Sequence, residues 1–228
     1  PEGRNYQYYR KNSVGSLLRA SELDAEYISG AYAVHFPGML LELTEEMRGA
    51  CERLVEIARE KGILVSFDPN IRRELSADAA ARARLLWAVR HADVVAPTLS
   101  EGQMITGETS IGGVLRALHA MGPRVVALTR DKDGAVLSRG GEVAVAAGID
   151  EEPVDPTGAG DTLAAALCVG LQEDMPLARL AAFCNCAGTL VIKKKGAIGM
   201  ALPERGQVDA MVASGVCRVE CMPLESLV

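Results

Sequence analysis

Apolar residues recur along this chain in two alternating rhythms. Short, unbroken runs at residues 31–36, 63–67, 93–96 and 125–128 have the length and composition of strands buried on both faces. Between them the spacing turns helical. Thr44 caps a helix that carries Glu45 and Glu46 in its first turn, buries Met47, Leu54, Val55 and Ala58, and stops at Gly62. Ser76 or Asp78 opens a second through Leu85, Leu86 and Val89, and residues 110–121 form a third. Strands alternating with helices imply right-handed crossovers and a mainly parallel sheet covered on both faces. The rhythm then changes. Residues 135–137 and 142–146, separated by Ser-Arg-Gly-Gly, predict a hairpin and hence an antiparallel edge. Apolar helices follow over 160–171 and 177–194, with a last one over 203–213, and residues 5–10 at the front have the pattern of a further strand.

Composition narrows the classes of function. The 228 residues, 49% hydrophobic and 24% charged, suit one large domain with its own core. A net charge of −6 argues against nucleic acid or an anionic membrane as the main partner. A phosphorylated ligand stays open, because backbone N–H groups hold phosphate without net basic charge. No apolar run has transmembrane length and no signal peptide is evident, so the cytoplasm is the expected compartment. Cys51, Cys168, Cys184, Cys186, Cys217 and Cys221 form no CxxC pair and are expected as small buried hydrophobes. Cys184 and Cys186, two apart on a helix, point to different sides, which argues against a shared metal. His35, His91 and His119 suggest no triad or metal set.

Parallel sheets bind ligands at the carboxyl ends of their strands. The polar residues there are Asp68, Asn70 and Arg72; Thr98 and Glu101; residues 129–133; and the loop Asp155-Pro-Thr-Gly-Ala-Gly-Asp161. In that loop Gly158, Ala159 and Gly160 let the backbone turn sharply and approach a ligand at the start of an apolar helix. The first helical N–H groups have no intrahelical partner, and the helix dipole adds positive charge, so the loop is a potential anion hole. Asp161 there can act as general base for an attacking hydroxyl, or simply be the acidic residue of a helix start. A dinucleotide fingerprint would need glycine where Leu163 stands, and a Walker A loop would need Gly-Lys-Ser/Thr.

The seven-residue string resembles the C-terminal motif of the ribokinase/PfkB carbohydrate kinases, and the resemblance runs from about Tyr6 to Pro203 with the motifs in family order. It implies a ribokinase-like, three-layer α/β fold with a mainly parallel central sheet, one domain over residues 1–228. Residues 5–15 would be a remnant of a lid, and 20–205 the catalytic and nucleotide-binding core. It implies ATP and Mg²⁺ as cofactors, with Asp161 as base and the Gly158–Gly160 backbone as anion hole. Asp68-Pro-Asn-Ile-Arg72 resembles a D-x-N-x-R segment in which Asn70 positions phosphate and Arg72 reaches the substrate. In Pro97-Thr-Leu-Ser-Glu101, Glu101 would hold Mg²⁺ through water; Thr98 departs from the usual Asn. Thr129 and Gly134 match a turn beside the nucleotide, where Asp131 replaces the first glycine, and Asn185 resembles a residue lining the adenine pocket. Structural readings stand beside these: a turn with a solvated Arg72, a first-turn Glu101, an Asn185 satisfied between helices, and lysines 193–195 as a helix cap. A monovalent cation near Asp155 is a further implication.

For substrate, Tyr8-Tyr9-Arg10-Lys-Asn-Ser13 resembles the Y-x-R-x-x-S segment of 2-keto-3-deoxygluconate kinases, with Tyr8 and Arg10 on one face of a strand to grip a sugar acid. Within the family, fructokinase or ribokinase activity is the alternative. Whole members begin with strands and a lid ahead of that segment, so the chain is expected to be N-terminally truncated relative to the family fold. A nucleotide-binding module without catalysis is therefore the competing class. The expected partners are ATP and a small sugar acid, with no nucleic acid and no membrane; homo-oligomer formation stays open.

Overall fold

The computed structural model describes residues 13–71 and 78–227. The expected strand at 5–10, and with it Tyr8 and Arg10, lies outside the described residues, as does Arg72. A short helix α1 (Ala25–Ser29), capped by Asp24, leads into β1 (Ala33–Pro37). Helix α2 (Glu45–Lys61) then returns the chain to β2 (Leu64–Asp68). Both ends of α2 are as expected: Thr44 Oγ1 accepts from Met47 N–H at 3.1 Å, and Gly62 terminates it in the left-handed region at φ 69°. Helix α3 (Ala79–His91) starts at Asp78, whose carboxylate accepts from Ala81 N–H at 2.7 Å, so Asp78 rather than Ser76 is the cap.

Strand β3 (Val94–Val95), helices α4 (Leu99–Thr106) and α5 (Ile111–Met121), and β4 (Val125–Thr129) complete the parallel half. The hairpin β5 (Gly134–Arg139) and β6 (Glu142–Ala147) follows, then α6 (Ala159–Gln172), α7 (Leu177–Ile192), α8 (Arg205–Ala213) and β7 (Val219–Pro223). Among the described residues the sheet runs β1 to β7 in chain order, parallel across β1–β4 and antiparallel from β4 onward. The hairpin is antiparallel as expected, but it is not the edge. Strand β7 pairs with β6 from Val219 opposite Ala146 to Pro223 opposite Glu142 and covers it. A five-residue strand with mostly exposed side chains carries little hydrophobic pattern, which is why it is hard to anticipate.

Side-chain alternation divides the strands between two cores. Val126 and Leu128 of β4, with Phe36, Phe67 and Val95, point to the face covered by α2, α3 and α5. Val125 and Ala127 point to the other face, where α6, α7 and α8 pack. The result is three layers, helices on sheet on helices. The second face is built from small residues. Ala127, Ala135, Ala144 and Ala146 meet Ala164, Ala181 and Ala187, and a Cβ on Gly170 would lie 2.3 Å from Leu180. Such close approach leaves little room for adjustment. Gly188 of α7 faces the Ala159 carbonyl, so α7 fixes the first residue of α6 in place.

Candidate active site

All the predicted strand-end loops gather at one end of the sheet. Parallel pairing puts Asp68 and Thr129 at the same rim, and two antiparallel reversals bring Ala147 back to it. The chain leaves β6 there and crosses to the start of α6. Val154 and Asp155 N–H groups donate to the Ile192 carbonyl at 2.8 and 3.1 Å. The Asp155 carboxylate then accepts from Thr157 N–H and Oγ1, at 3.0 and 2.6 Å, and from Gly196 N–H at 3.0 Å. Asp155 is thus a brace between the loop before α6 and the turn after α7.

Gly158 sits in that brace as the residue before α6, at φ 87°, with its α-carbon packed on Ala197. L residues adopt this conformation only at a cost. Gly160 is different: a Cβ added to it meets nothing within 4 Å. On its side-chain side Gly160 therefore faces open space, and Asp161 in the first helical turn is exposed beside it. Ala159 lies between the two glycines.

Behind Asp161 the sheet presents two polar residues, His35, which sequence reasoning set aside, and Ser66, which it did not single out. His35 of β1 lies opposite Ser66 of β2, on the α6 face, and its Nδ1 is 3.0 Å from Ser66 Oγ. His35 is exposed by area, while Ser66 is wholly buried. Desolvation lowers the His35 pKa, and the nearby Asp161 charge opposes this by raising it. The signal in the sequence is slight: the alternation of β1 assigns His35 to the face opposite Val34 and Phe36, but nothing there says that α6 starts above it.

The other loops are joined through Glu101. Its Oε1 accepts from Ile71 N–H at 2.6 Å, and its Oε2 accepts from Thr98 N–H at 2.8 Å and Thr98 Oγ1 at 2.9 Å. With Thr98 Oγ1 accepting from Glu101 N–H at 3.2 Å, this is a capping box at the start of α4 that also ties down the loop after β2. Three of the roughly four acceptor positions of a carboxylate are used by the protein, which leaves room for a water. Asn70 lies in the loop so held, at φ 36°, its N–H on Asp68 Oδ1 at 2.9 Å. Thr98 also bridges to Thr129, joining this loop to the end of β4.

The turn after β4 forms despite the missing glycine. Asp131 takes the left-handed conformation itself, at φ 49°, and Gly134 closes the turn at φ 88°. Asp tolerates this region better than most residues. Asn185 lies in α7 and is buried; its amide donates to the Ala147 carbonyl at 2.9 Å and to Cys217 Sγ at 3.4 Å. That is the arrangement of an Asn satisfied between elements, placed at the ligand end of the sheet. Lys193 pairs with Glu151 at 2.8 Å and Lys194 donates to the Met200 carbonyl, which fits the reading of these lysines as surface groups.

Among the described residues, the buried side-chain polar atoms without a partner are Thr162 Oγ1 and Arg130 Nε. One follows Asp161; the other follows Thr129. Thr162 lies in the first turn of α6 and Arg130 in the turn after β4, both at this rim, and an unpaired buried donor or hydroxyl there is what a polar ligand can satisfy. No grouping of three or more His, Cys, Asp or Glu side chains able to hold a metal occurs among the described residues. No helix among them is long and apolar enough to cross a membrane.

The α/β/α sandwich thus carries a glycine-flanked helix start and an exposed acidic residue over its strand ends. Residues 4–205 match the pfkB family of carbohydrate kinases, and the chain belongs to that family of phosphotransferases. It is 32% identical to fructokinase-1 of Zea mays over 228 residues, covering 92% of this chain and 67% of the relative. It is 28% identical to the 2-dehydro-3-deoxygluconokinase of Bacillus subtilis, covering 91% and 64%. The chain thus spans about two thirds of the length of these relatives. Among solved structures, an E. coli putative ribokinase II in complex with ATP and Mg²⁺ superposes with a TM-score of 0.86 at 23% identity, over 93% of this chain and 68% of that one. A Vibrio cholerae fructokinase bound to fructose, ADP and calcium gives 0.75 at 27% identity, over 86% and 65%. The ribokinase-like fold is therefore as expected.

Proposed function

We propose that this protein transfers the γ-phosphate of ATP to a hydroxyl of a sugar acid, 2-keto-3-deoxygluconate. The observation that carries the proposal is the start of α6: an exposed Asp161 beside the open, side-chain-free backbone of Gly160, behind a Gly158 locked at positive φ. The Asp161 carboxylate takes the proton of the attacking hydroxyl. The N–H groups of the first turn of α6 stabilise the charge that builds on the phosphoryl oxygens, and Gly160 leaves the space those oxygens need. Asp155 holds both glycines in place through Thr157 and Gly196.

Asn70, Thr129, Gly134 and Asn185 would line the nucleotide, with Thr162 and Arg130 as additional donors. Glu101 would hold Mg²⁺ through a water, consistent with its three protein hydrogen bonds. Bound there, Mg²⁺ neutralises charge on the nucleotide phosphates. A monovalent cation near Asp155 belongs to the same proposal. Tyr8, Arg10 and Arg72 are assigned to the sugar acid, since an Arg fork suits a carboxylate. The cytoplasm is the proposed compartment.

A second reading is fructose phosphorylation, favoured by the 32% identity to the Zea mays fructokinase. An assay of ADP release with 2-keto-3-deoxygluconate, fructose and ribose separates the two. Highest kcat/KM with the sugar acid is expected, and preference for fructose or ribose replaces the substrate assignment. No turnover with any sugar, alongside measurable ATP binding, would identify a nucleotide-binding module without catalysis.

A further inference from the structure

A second concavity lies at the amino ends of the parallel strands, at the opposite end of the sheet from Asp161. Its volume is about 820 Å³, within the range of roughly 300–1,000 Å³ usual for small-molecule sites. Leu64, Val94 and Val125 begin β2, β3 and β4 and line it from the sheet, while Leu171 near the end of α6 lines it from the helical layer. All four pack in the core on the α6 face, so the groove is where that core reaches the surface. Arg139 of β5, paired with Val125 in the register, stands towards one end. Tyr32, whose carbonyl accepts from Leu64 N–H at 3.1 Å, stands towards the other. Three strand spacings of about 4.8 Å separate β2 from β5, which makes the groove roughly 14 Å long.

The polar groups around it differ in what they leave for a ligand. Asp93 accepts from Arg124 Nη2 at Oδ1 and from Val65 N–H at Oδ2, both at 2.9 Å. His119 is engaged at both ring nitrogens, with the Pro123 carbonyl at 2.8 Å and with Ser138 Oγ at 2.9 Å. The partly buried Arg139 guanidinium makes one bond, from Nη2 to the Met175 carbonyl at 3.0 Å. Glu142 is its cross-strand neighbour, yet no ion pair joins the two among the described residues. Most of the N–H donors of this guanidinium are therefore left for a ligand.

We propose that the groove binds an aliphatic monocarboxylate, its carboxylate on Arg139 and its chain along Val125, Val94 and Leu64 towards Tyr32. A planar guanidinium matches the two oxygens of a carboxylate. One uncommitted guanidinium close to Asp93 and Glu142 supplies little net positive charge, which favours a monoanion over a phosphate ester. Beyond Arg139 the wall is apolar and takes an alkyl chain out of water without a hydrogen bond to satisfy. The Tyr32 ring, 40% exposed, lies where the end of such a chain would cover it. None of these residues belongs to the rim around Asp161, so the proposal does not rest on the kinase reading.

The test uses the folded chain and decanoate, kept below its micelle-forming concentration, in calorimetric titrations with and without saturating ATP. Saturable binding at a single site is expected, and it should persist with ATP present. Acetate lacks the chain and decylamine lacks the negative charge; each should bind about 10-fold or more weakly than decanoate. Arg139→Gln should weaken decanoate by about 10- to 100-fold, as loss of a charge-assisted pair does. Arg139 also holds Met175, so a readout without substitution accompanies the variant. In the wild-type chain, decanoate should shift the methyl resonances of Leu64, Val94, Val125 and Leu171. Absence of saturable binding overturns the proposal, as do full displacement by ATP, methyl shifts confined to the Asp161 rim, or decylamine binding as tight as that of decanoate. Tighter binding of decyl phosphate overturns the choice of a monocarboxylate.

Discussion

The two glycines around Ala159 are predicted to respond to one added methyl in opposite senses. At Gly160 the methyl enters open space within a helical turn. Alanine is favoured over glycine in helices by roughly 0.5–1 kcal/mol; in the first turn about 0.5 kcal/mol is a fair expectation. For a chain of this size that raises Tm by about 1–2 °C. At Gly158 the methyl is held at φ 87° and placed 2.7 Å from Ala197 Cβ and 3.2 Å from its Cα. Backbone strain of about 1–3 kcal/mol and overpacking of about 1–3 kcal/mol act together, so Gly158→Ala should lower Tm by on the order of 10 °C. Activity should fall in both, but for different reasons. In Gly160→Ala the methyl occupies the space in front of the α6 N–H groups, and a loss of kcat on the order of 10²-fold is expected without loss of fold. Thermal unfolding and ADP release on the same preparations check the pair. A Gly160→Ala protein that is stabilised and fully active would show that the transferring phosphoryl group does not sit over this backbone.

Asp161→Asn keeps the size of the residue but removes its basicity; kcat should fall by about 10²–10⁴-fold with Tm nearly unchanged, and near-full turnover would remove Asp161 as the base. Asp131→Gly relieves a left-handed residue at φ 49° and should stabilise the fold by about 0.5 kcal/mol, the extra freedom of the unfolded chain offsetting part of the gain; a drop in the urea midpoint would show that the Asp131 side chain contributes more than its backbone costs. His35 has its pKa lowered, chiefly by desolvation, so the unfolded chain binds its proton at a higher pH than the folded chain does. Its contribution to stability is present above the unfolded value of about 6.5 and is lost as pH falls through the folded value. His35→Gln should therefore flatten the fall in Tm between pH 7 and 5, and an unchanged slope would place the titration elsewhere.

The parts of this fold that were legible in the sequence are those with strong local causes. Thr44 and Asp78 each supply the side-chain oxygen that a helix start requires, and each accepts the expected N–H bond. The apolar runs became β1 to β4 because a strand buried on both faces has no polar alternation to hide it. Strand β7 was not legible, since it covers an edge and exposes most of its side chains. The left-handed Asp131 shows a motif departure absorbed by the backbone. The contact of His35 with Ser66 joins residues 31 apart in the chain, and no local pattern encodes such a pairing.

The acidic residues that make the family motifs recognisable divide into two kinds when their partners are traced. The Asp155 carboxylate holds Thr157 and Gly196, and the Glu101 carboxylate holds Thr98 and Ile71. Each bonds backbone N–H groups of two separate segments, so each sets the distance between loops that arrive from different strands. Asp161 has a different position: it is exposed at a helix start, on the rim those braces hold. A carboxylate that accepts several backbone N–H bonds has fewer lone pairs left for a ligand. A base must keep its lone pairs for the substrate. The same string of seven residues therefore contains, at its first position, a carboxylate committed to the fold and, at its last, an exposed one that the proposed function takes as the base. Asp155 anchors the crossing from β6 against the end of α7, and Gly158 turns it into α6, which sets Asp161 in the first helical turn.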